Sequence, residues 1–129
     1  MNAVPRRVTR TYLAHGLIVV ELLGDIDIST APEVCLHLAA VTSRQAPDLL
    51  LDLRPVTFFD CQGVRLLMFA QQRMWEQRGQ FYLVCDSPQI LRILSIIGLF
   101  VLFHPSPTID RALADIEGPR PPCRLSWES

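Results

Sequence analysis

The sequence has no excess of basic charge and no lysine at all. Its 12 basic residues are all arginines and face 13 acidic ones, for a formal net charge of -1. A chain that neutralises phosphates along a polymer needs a basic surplus, so nucleic acid is not expected as the main partner. Cysteine pairs at metal-binding spacing are also lacking. Cys35, Cys61, Cys85 and Cys123 show no C-x-x-C pattern, and no histidine lies near enough to complete a zinc set. They read as reduced thiols of a cytoplasmic protein. Residues 1–10 hold arginines without the apolar core of a secretion signal. The longest apolar run near the C-terminus, 96–103, falls far short of the ~20 residues of a spanning helix, so no direct membrane insertion is expected. Internal repeats and low-complexity tracts are missing too.

What is present fits one ordinary globular domain. The chain has 129 residues, 50% of them hydrophobic and 19% charged, enough for a core that needs no covalent staples. Residues 8–14 alternate weakly and run into the turn signal His15-Gly16, and 17–23 follow as an apolar strand, together a hairpin closed by Gly24. Thr30, Pro32 and Glu33 carry the cap, first-turn proline and capping-box spacing of a helix start. That helix should run to about Ser43 with Val34, Leu38 and Val41 on one face, and Pro47 follows its exit. The run 49–53 reads as a strand covered on both faces. A helix beginning near Cys61 or Gln62 and ending at Gly79 is followed by a strand over 80–85. Ser87-Pro88 opens a helix to about Ile96, which Gly98 ends. Residues 101–103 read as a short strand, and 108–116 as a last helix capped by Thr108. Residues 1–7 read as a flexible N-terminus, 8–117 as the domain, and 118–129 as a disordered proline-rich tail. Strands alternating with helices after an opening hairpin predict an α/β architecture: a mixed sheet with helices packed mainly on one face.

Three motifs follow one another in fixed order among these elements. The first is Gly24-Asp25-Ile26-Asp27 with Ser29-Thr30-Ala31 after it. The second is Thr57-Phe58-Phe59-Asp60-Cys61-Gln62-Gly63, between a strand and an amphipathic helix. The third is Ser87-Pro88, a helix, then Gly98-Leu99-Phe100. Together they resemble the STAS domain, over residues 8–117, a family whose central loop reads approximately T-F-hydrophobe-D-S-S-G, and the chain is similar to its anti-sigma factor antagonists. The resemblance implies an α+β-like STAS fold and a protein-binding module, with neither catalysis nor a cofactor. Its implied partner is an anti-sigma factor of the histidine-kinase-like ATPase fold, bound by partner switching so that a sigma factor is freed. In such relatives a kinase phosphorylates the serine immediately before the loop glycine, and the added charge of about -1.5 to -2 expels the partner. A helix N-terminus preceded by an approachable backbone holds a phosphate well.

Here Gln62 occupies the acceptor position and Cys61 the residue before it, so the usual phosphoacceptor is missing. On a helical projection from Val64, the positions Val64, Leu67, Met68, Ala70, Met74 and Trp75 share an arc and are expected to face the sheet. Arg65, Leu66, Phe69, Arg73 and Glu76 fall on the other side, where the resemblance implies a docking face with small residues at positions 65 and 69. Two readings of Leu66 and Phe69 are open: cover by neighbouring chain, or a reshaped docking patch. The partner-binding set expected is Asp25, Asp27, Ser29, Thr30, Asp60, Cys61, Gln62, Gly63, Arg65, Leu66 and Phe69.

Chemistry has weaker candidates. His15, His37 and His104 are scattered over a turn, a helix and a strand end, without an evident base or orienting group. Asp25, Asp27 and Asp60 read either as a metal cluster or as acceptors for loop N–H groups, and helix starts favour the second. Cys61 at a helix start has the setting for a lowered thiol pKa, but no histidine base is evident beside it; a redox-sensitive thiol is the remaining alternative. The leading functional reading is therefore an antagonist that phosphorylation does not switch. The alternative is an accessory STAS subunit of an ABC-type transport ATPase or another assembly.

Overall fold

A tight reversal sets the first element. His15 (φ 53°) and Gly16 (φ 76°) both adopt positive φ, the requirement of a two-residue turn whose twist matches its strands. This turn joins β1 (Thr9–Ala14) to β2 (Leu17–Leu22) in an antiparallel pair. The computed structural model of the protein describes residues 8–43 and 48–117. The expected flexible N-terminus, Pro47, Cys123 and the proline-rich tail lie outside them.

Helix α1 (Ala31–Val41) leads to β4 (Leu49–Asp52), which lies parallel to β2; α2 (Cys61–Glu76) leads to β6 (Phe81–Val84), which lies parallel to β4. Two shorter strands complete the set: β3 (Gly24–Ile26) and β5 (Val56–Phe59), which pair with one another in parallel. The main sheet is ordered β1-β2-β4-β6. After it come α3 (Pro88–Ile96), α4 (Phe100–Phe103) and α5 (Ile109–Glu117).

One face of the sheet carries the main core: Val20, Leu22, Leu49, Leu51 and Leu83 meet Val34 and Leu38 of α1, Leu67, Ala70 and Met74 of α2, and Leu94 of α3. The other face presents Leu17, Val19, Leu50 and Val84 to Ala112 of α5. Every residue of β4 is buried, as expected for a strand covered on both sides. The mixed sheet opened by a hairpin is thus as anticipated, with α5 the helix that takes the second face. Asp52 ends β4 fully buried, and Arg54 answers it through Nε at 3.0 Å and Nη2 at 2.8 Å.

Three expectations are corrected. Residues 101–103 are not a strand: Phe103 N–H and His104 N–H bond back to the carbonyls of Leu99 and Phe100, making the helical turn α4. The place beside β6 goes instead to Ser106, bridged to Val84, and α4 drops Phe103 into the core edge-on to Phe81, centroids 6.0 Å apart. Thr30 forms no capping box with Glu33; its own φ and ψ are helical and its hydroxyl turns back into the preceding loop. The buried arc of α2 is rotated toward α1. Leu66 is only 4% exposed, whereas Met68, expected to face the sheet, is 49% exposed. The cause is α1, which packs along that flank. Arg73 of α2 donates to Thr42 Oγ1 (3.1 Å) and to the carbonyls of Thr42 (3.1 Å) and Ala39 (3.2 Å), and Gln77 also donates to the Thr42 carbonyl. These side chains satisfy carbonyls that the end of α1 leaves without helical partners.

Candidate functional site

The small β3–β5 pair assembles the site. Its register sets Ile26 beside Phe59, so Asp27 and Asp60 follow directly at the carboxyl ends of two neighbouring strands. The loop into α1 and the start of α2, far apart in sequence, thereby form one junction. β5 holds an extra residue: Gly24 pairs with Val56 and Asp25 with Phe58, leaving Thr57 as a bulge. Its hydroxyl donates to Asp25 Oδ1 at 2.7 Å, tying the two strands together.

Asp27 organises the first loop. Its Oδ1 accepts from Ser29 N–H (2.9 Å), Ser29 Oγ (2.7 Å) and Thr30 N–H (3.2 Å). Those bonds, led by the Ser29 hydroxyl and then the Ser29 amide, hold its carboxyl below the ordinary range, because each favours the ionised form. Thr30 closes the loop, its Oγ1 donating to Asp25 O at 2.8 Å and accepting from Asp27 N–H at 3.0 Å. Asp60 caps α2, its Oδ1 accepting from Gln62 N–H at 2.9 Å. The aspartates act as acceptors for loop N–H and hydroxyl groups. Among the described residues, no group of three or more His, Cys, Asp or Glu is arranged to hold a metal ion.

Gly63 has a steric reason that its place in the motif did not reveal. A Cβ there would lie 2.3 Å from Cε1 of Phe59, so the glycine makes room for that buried ring as α2 starts. Strand alternation turns Phe59 inward and Phe58 outward, where Phe58 is exposed. On α2, Cys61, Arg65, Met68 and Gln72 form an exposed stripe, spaced as one helix face. Gln62 beside them is half-buried.

Of the expected partner-binding residues, Asp25, Asp27, Ser29, Thr30, Asp60, Cys61, Gln62 and Arg65 sit at or beside this junction. Gly63 and Leu66 are buried, so neither side presents surface there. Phe69 is half-buried against the core, with the Arg73 guanidinium 5.9 Å from its ring centre, in accord with cover by neighbouring chain. Met68, Phe58 and Ile28, all exposed, were not anticipated; strand alternation was the signal for Phe58, and nothing in the sequence marked Met68. The three histidines lie apart: His15 in the hairpin turn, His37 at 2.6 Å from Thr11 Oγ1, and His104 closing α4. Burial pushes the Cys85 thiol up, while Cys61 is exposed. Among the described residues no helix is long and apolar enough to cross a membrane.

Known proteins resemble this chain over most of its length. Residues 9–112 match the sequence profile of the STAS domain. The anti-sigma F factor antagonist of Paenibacillus polymyxa is 28% identical over 105 residues, covering 80% of this chain and 89% of its own. The anti-sigma-F factor antagonist RsfB of Mycobacterium tuberculosis is 26% identical over 119 residues, covering 92% and 97%. The crystal structure of an anti-sigma factor antagonist from Mycobacterium paratuberculosis superposes with a TM-score of 0.77 at 30% identity, covering 85% of this chain and 93% of the other.

Proposed function

Since this chain belongs to the STAS domain family, we propose that it is a regulatory protein-binding module of the anti-sigma factor antagonist kind, binding an anti-sigma factor by partner switching and so acting on transcription. The observation that carries this reading is the junction itself: the Asp27 loop and the start of α2 are held side by side by the β3–β5 pair, on a scaffold shared with antagonists. Recognition surfaces are commonly built in this way, from loops set by rigid elements. The docking face consists of Asp25, Asp27, Ser29 and Thr30 on one side and Asp60, Cys61, Gln62, Arg65 and Met68 on the other. Phe69 contributes at its rim, and Leu66, being buried, does not.

Gln62 sets the regulation. A carboxamide accepts no phosphoryl group, and its neutral side chain stands in for the unmodified state, so the module is held permanently in its binding form. The partner implied by the family resemblance has the histidine-kinase-like ATPase fold. An accessory role in a transport ATPase is the second reading, favoured by the same loss of the acceptor at Gln62.

Isothermal titration of the purified protein with an anti-sigma factor from its own cell tests the proposal. Binding is expected for the wild-type chain, with Gln62→Glu weakening it about tenfold or more by placing charge where phosphate acts in relatives. Incubation with that kinase and ATP should leave the intact mass unchanged. A stoichiometric phosphate on the loop, or an affinity indifferent to Gln62→Glu, would overturn the reading.

A further inference from the structure

The two edges of the main sheet are unlike. The outer edge of β6 is occupied by Ser106, whose N–H bonds the Leu83 carbonyl and whose carbonyl receives the Cys85 N–H, both at 2.9 Å. β1 forms the other edge, with no strand beside it among the described residues. Which of its backbone groups face outward follows from the hairpin. A two-residue turn makes its flanking residues, Ala14 and Leu17, a hydrogen-bonded pair, and at the far end Leu23 N–H bonds the Val8 carbonyl at 2.9 Å. Such pairs alternate, so Arg10, Tyr12 and Ala14 turn their N–H and C=O groups toward β2. Thr9, Thr11 and Leu13 turn theirs away from it.

Edge strands are ordinarily protected by lysine, proline, a bulge or an inward charge. β1 has no lysine or proline, and its register with β2 is unbroken. Its single charge, Arg10, is held on the sheet face by Glu21 at 2.6 Å. Leu13 is 75% exposed.

We propose that β1 is a self-association edge, where a second copy of this chain pairs β1 against β1, antiparallel, about a twofold axis at Thr11. The register follows from geometry. A twofold axis normal to the sheet keeps the α1–α2 layers of both copies on one side, so residues set opposite one another must share a face. Centring on Thr11 places Thr11 opposite itself, Thr9 opposite Leu13 and Arg10 opposite Tyr12. Every outward N–H and C=O of both strands then has a partner, and each Arg10 lies beside an aromatic ring. Centring on Arg10 would oppose two like charges, and centring on Tyr12 would set Thr9 against the hairpin turn. A foreign strand would satisfy the same backbone groups, but this side-chain match is one that the strand makes with itself. One strand pair buries less than the roughly 800 Å² per partner of a standard interface, so the contact is weak and reversible. It uses none of the residues of the junction at α2, so its failure and the failure of the proposed function are separate results.

Sedimentation equilibrium on the full chain, from about 1 to 500 µM, decides the matter. A monomer–dimer equilibrium is expected. Thr11→Pro removes an N–H that points away from β2, a position an edge strand tolerates, together with the hydroxyl that meets His37, and should weaken dimerisation by about tenfold or more. Leu13→Lys, at an exposed site, should do the same, with thermal unfolding verifying the fold of each variant. Where Thr11→Pro lowers the unfolding midpoint, Leu13→Lys is decisive. A monomer at every concentration, or a dimer whose dissociation constant ignores Leu13→Lys, overturns the proposal.

Discussion

Gly63 and Phe59 illustrate how one motif position serves a neighbour. A methyl group at 63 would fall 2.3 Å from the Phe59 ring, so Gly63→Ala must push the ring out of its seat. Overpacking of this kind costs about 1–3 kcal/mol, to be measured by urea denaturation. Phe59→Leu added to Gly63→Ala should recover part of the loss, since residues in contact couple. Asp27 gives a prediction in pH. Its carboxyl titrates below the ordinary 3.8 because Ser29 and Thr30 donate to it. A group with a depressed folded-state value contributes stability above its unfolded value, about 3.9, and loses it as pH falls through the folded value. Ser29→Ala should therefore raise the Asp27 value in an NMR titration, bring acid unfolding to higher pH, and leave stability near pH 7 changed chiefly by the lost hydrogen bonds. At this scale much was legible. The caps Ser87 and Thr108 and the acceptor role of Asp60 were visible as residue types at fixed spacing. What could not be read was the atom each residue touches: Gly63 answers to a ring four positions earlier, and Thr30 to the Asp25 carbonyl instead of Glu33.

At the element scale, sequence reasoning about α2 placed Val64, Leu67, Ala70 and Met74 correctly and misplaced Leu66 and Met68, for a specific reason. A projection at 100° per residue assumes one buried side, but α2 has two neighbours, the sheet and α1. Leu66, Phe69 and Arg73 lie along the second, which is why Leu66 is buried and Met68 is not. Arg73 joins the helices by donating to the last carbonyls of α1. Arg73→Met keeps the apolar stem and removes those bonds, so it should cost about 1–2 kcal/mol in urea denaturation. Phe69→Ala should cost about 1–3 kcal/mol, less than a fully buried aromatic truncation because the ring is half-buried. Met68→Ala should leave stability within about 0.5 kcal/mol. It should also weaken partner binding by more than about 1 kcal/mol, as read by titration calorimetry. Residues 101–103 show a related limit. A short apolar run fits a strand or a helical turn equally well, and Ser106, three residues further on, holds the strand position. β3 and β5, of three and four residues, are too short to display any period, yet they build the junction.

For the whole molecule, order in the chain and order in space coincide. The main sheet runs β1-β2-β4-β6, each parallel neighbour following after one helix, so the architecture was readable from strand and helix alternation alone. Stability should be distributed accordingly. β4 is buried along its full length between two paired strands, and its amides should exchange with deuterium through global unfolding alone. Amides of the two-stranded β3–β5 pair and of α4 should exchange faster, through local opening. Rates in α4 as slow as those in β4 would contradict this picture.

The same ordering bears on synthesis. A sheet that adds strands at one margin, in the sequence in which they are translated, can be laid down as the polypeptide leaves the ribosome. Until β6 emerges, β4 has no neighbour on that side, although its Leu49, Leu50 and Leu51 are fully enclosed in the finished protein. A chain that ended near Gly79 would therefore expose a leucine-rich margin closed by Asp52. That intermediate, more than the mature fold, is where chaperones would be needed.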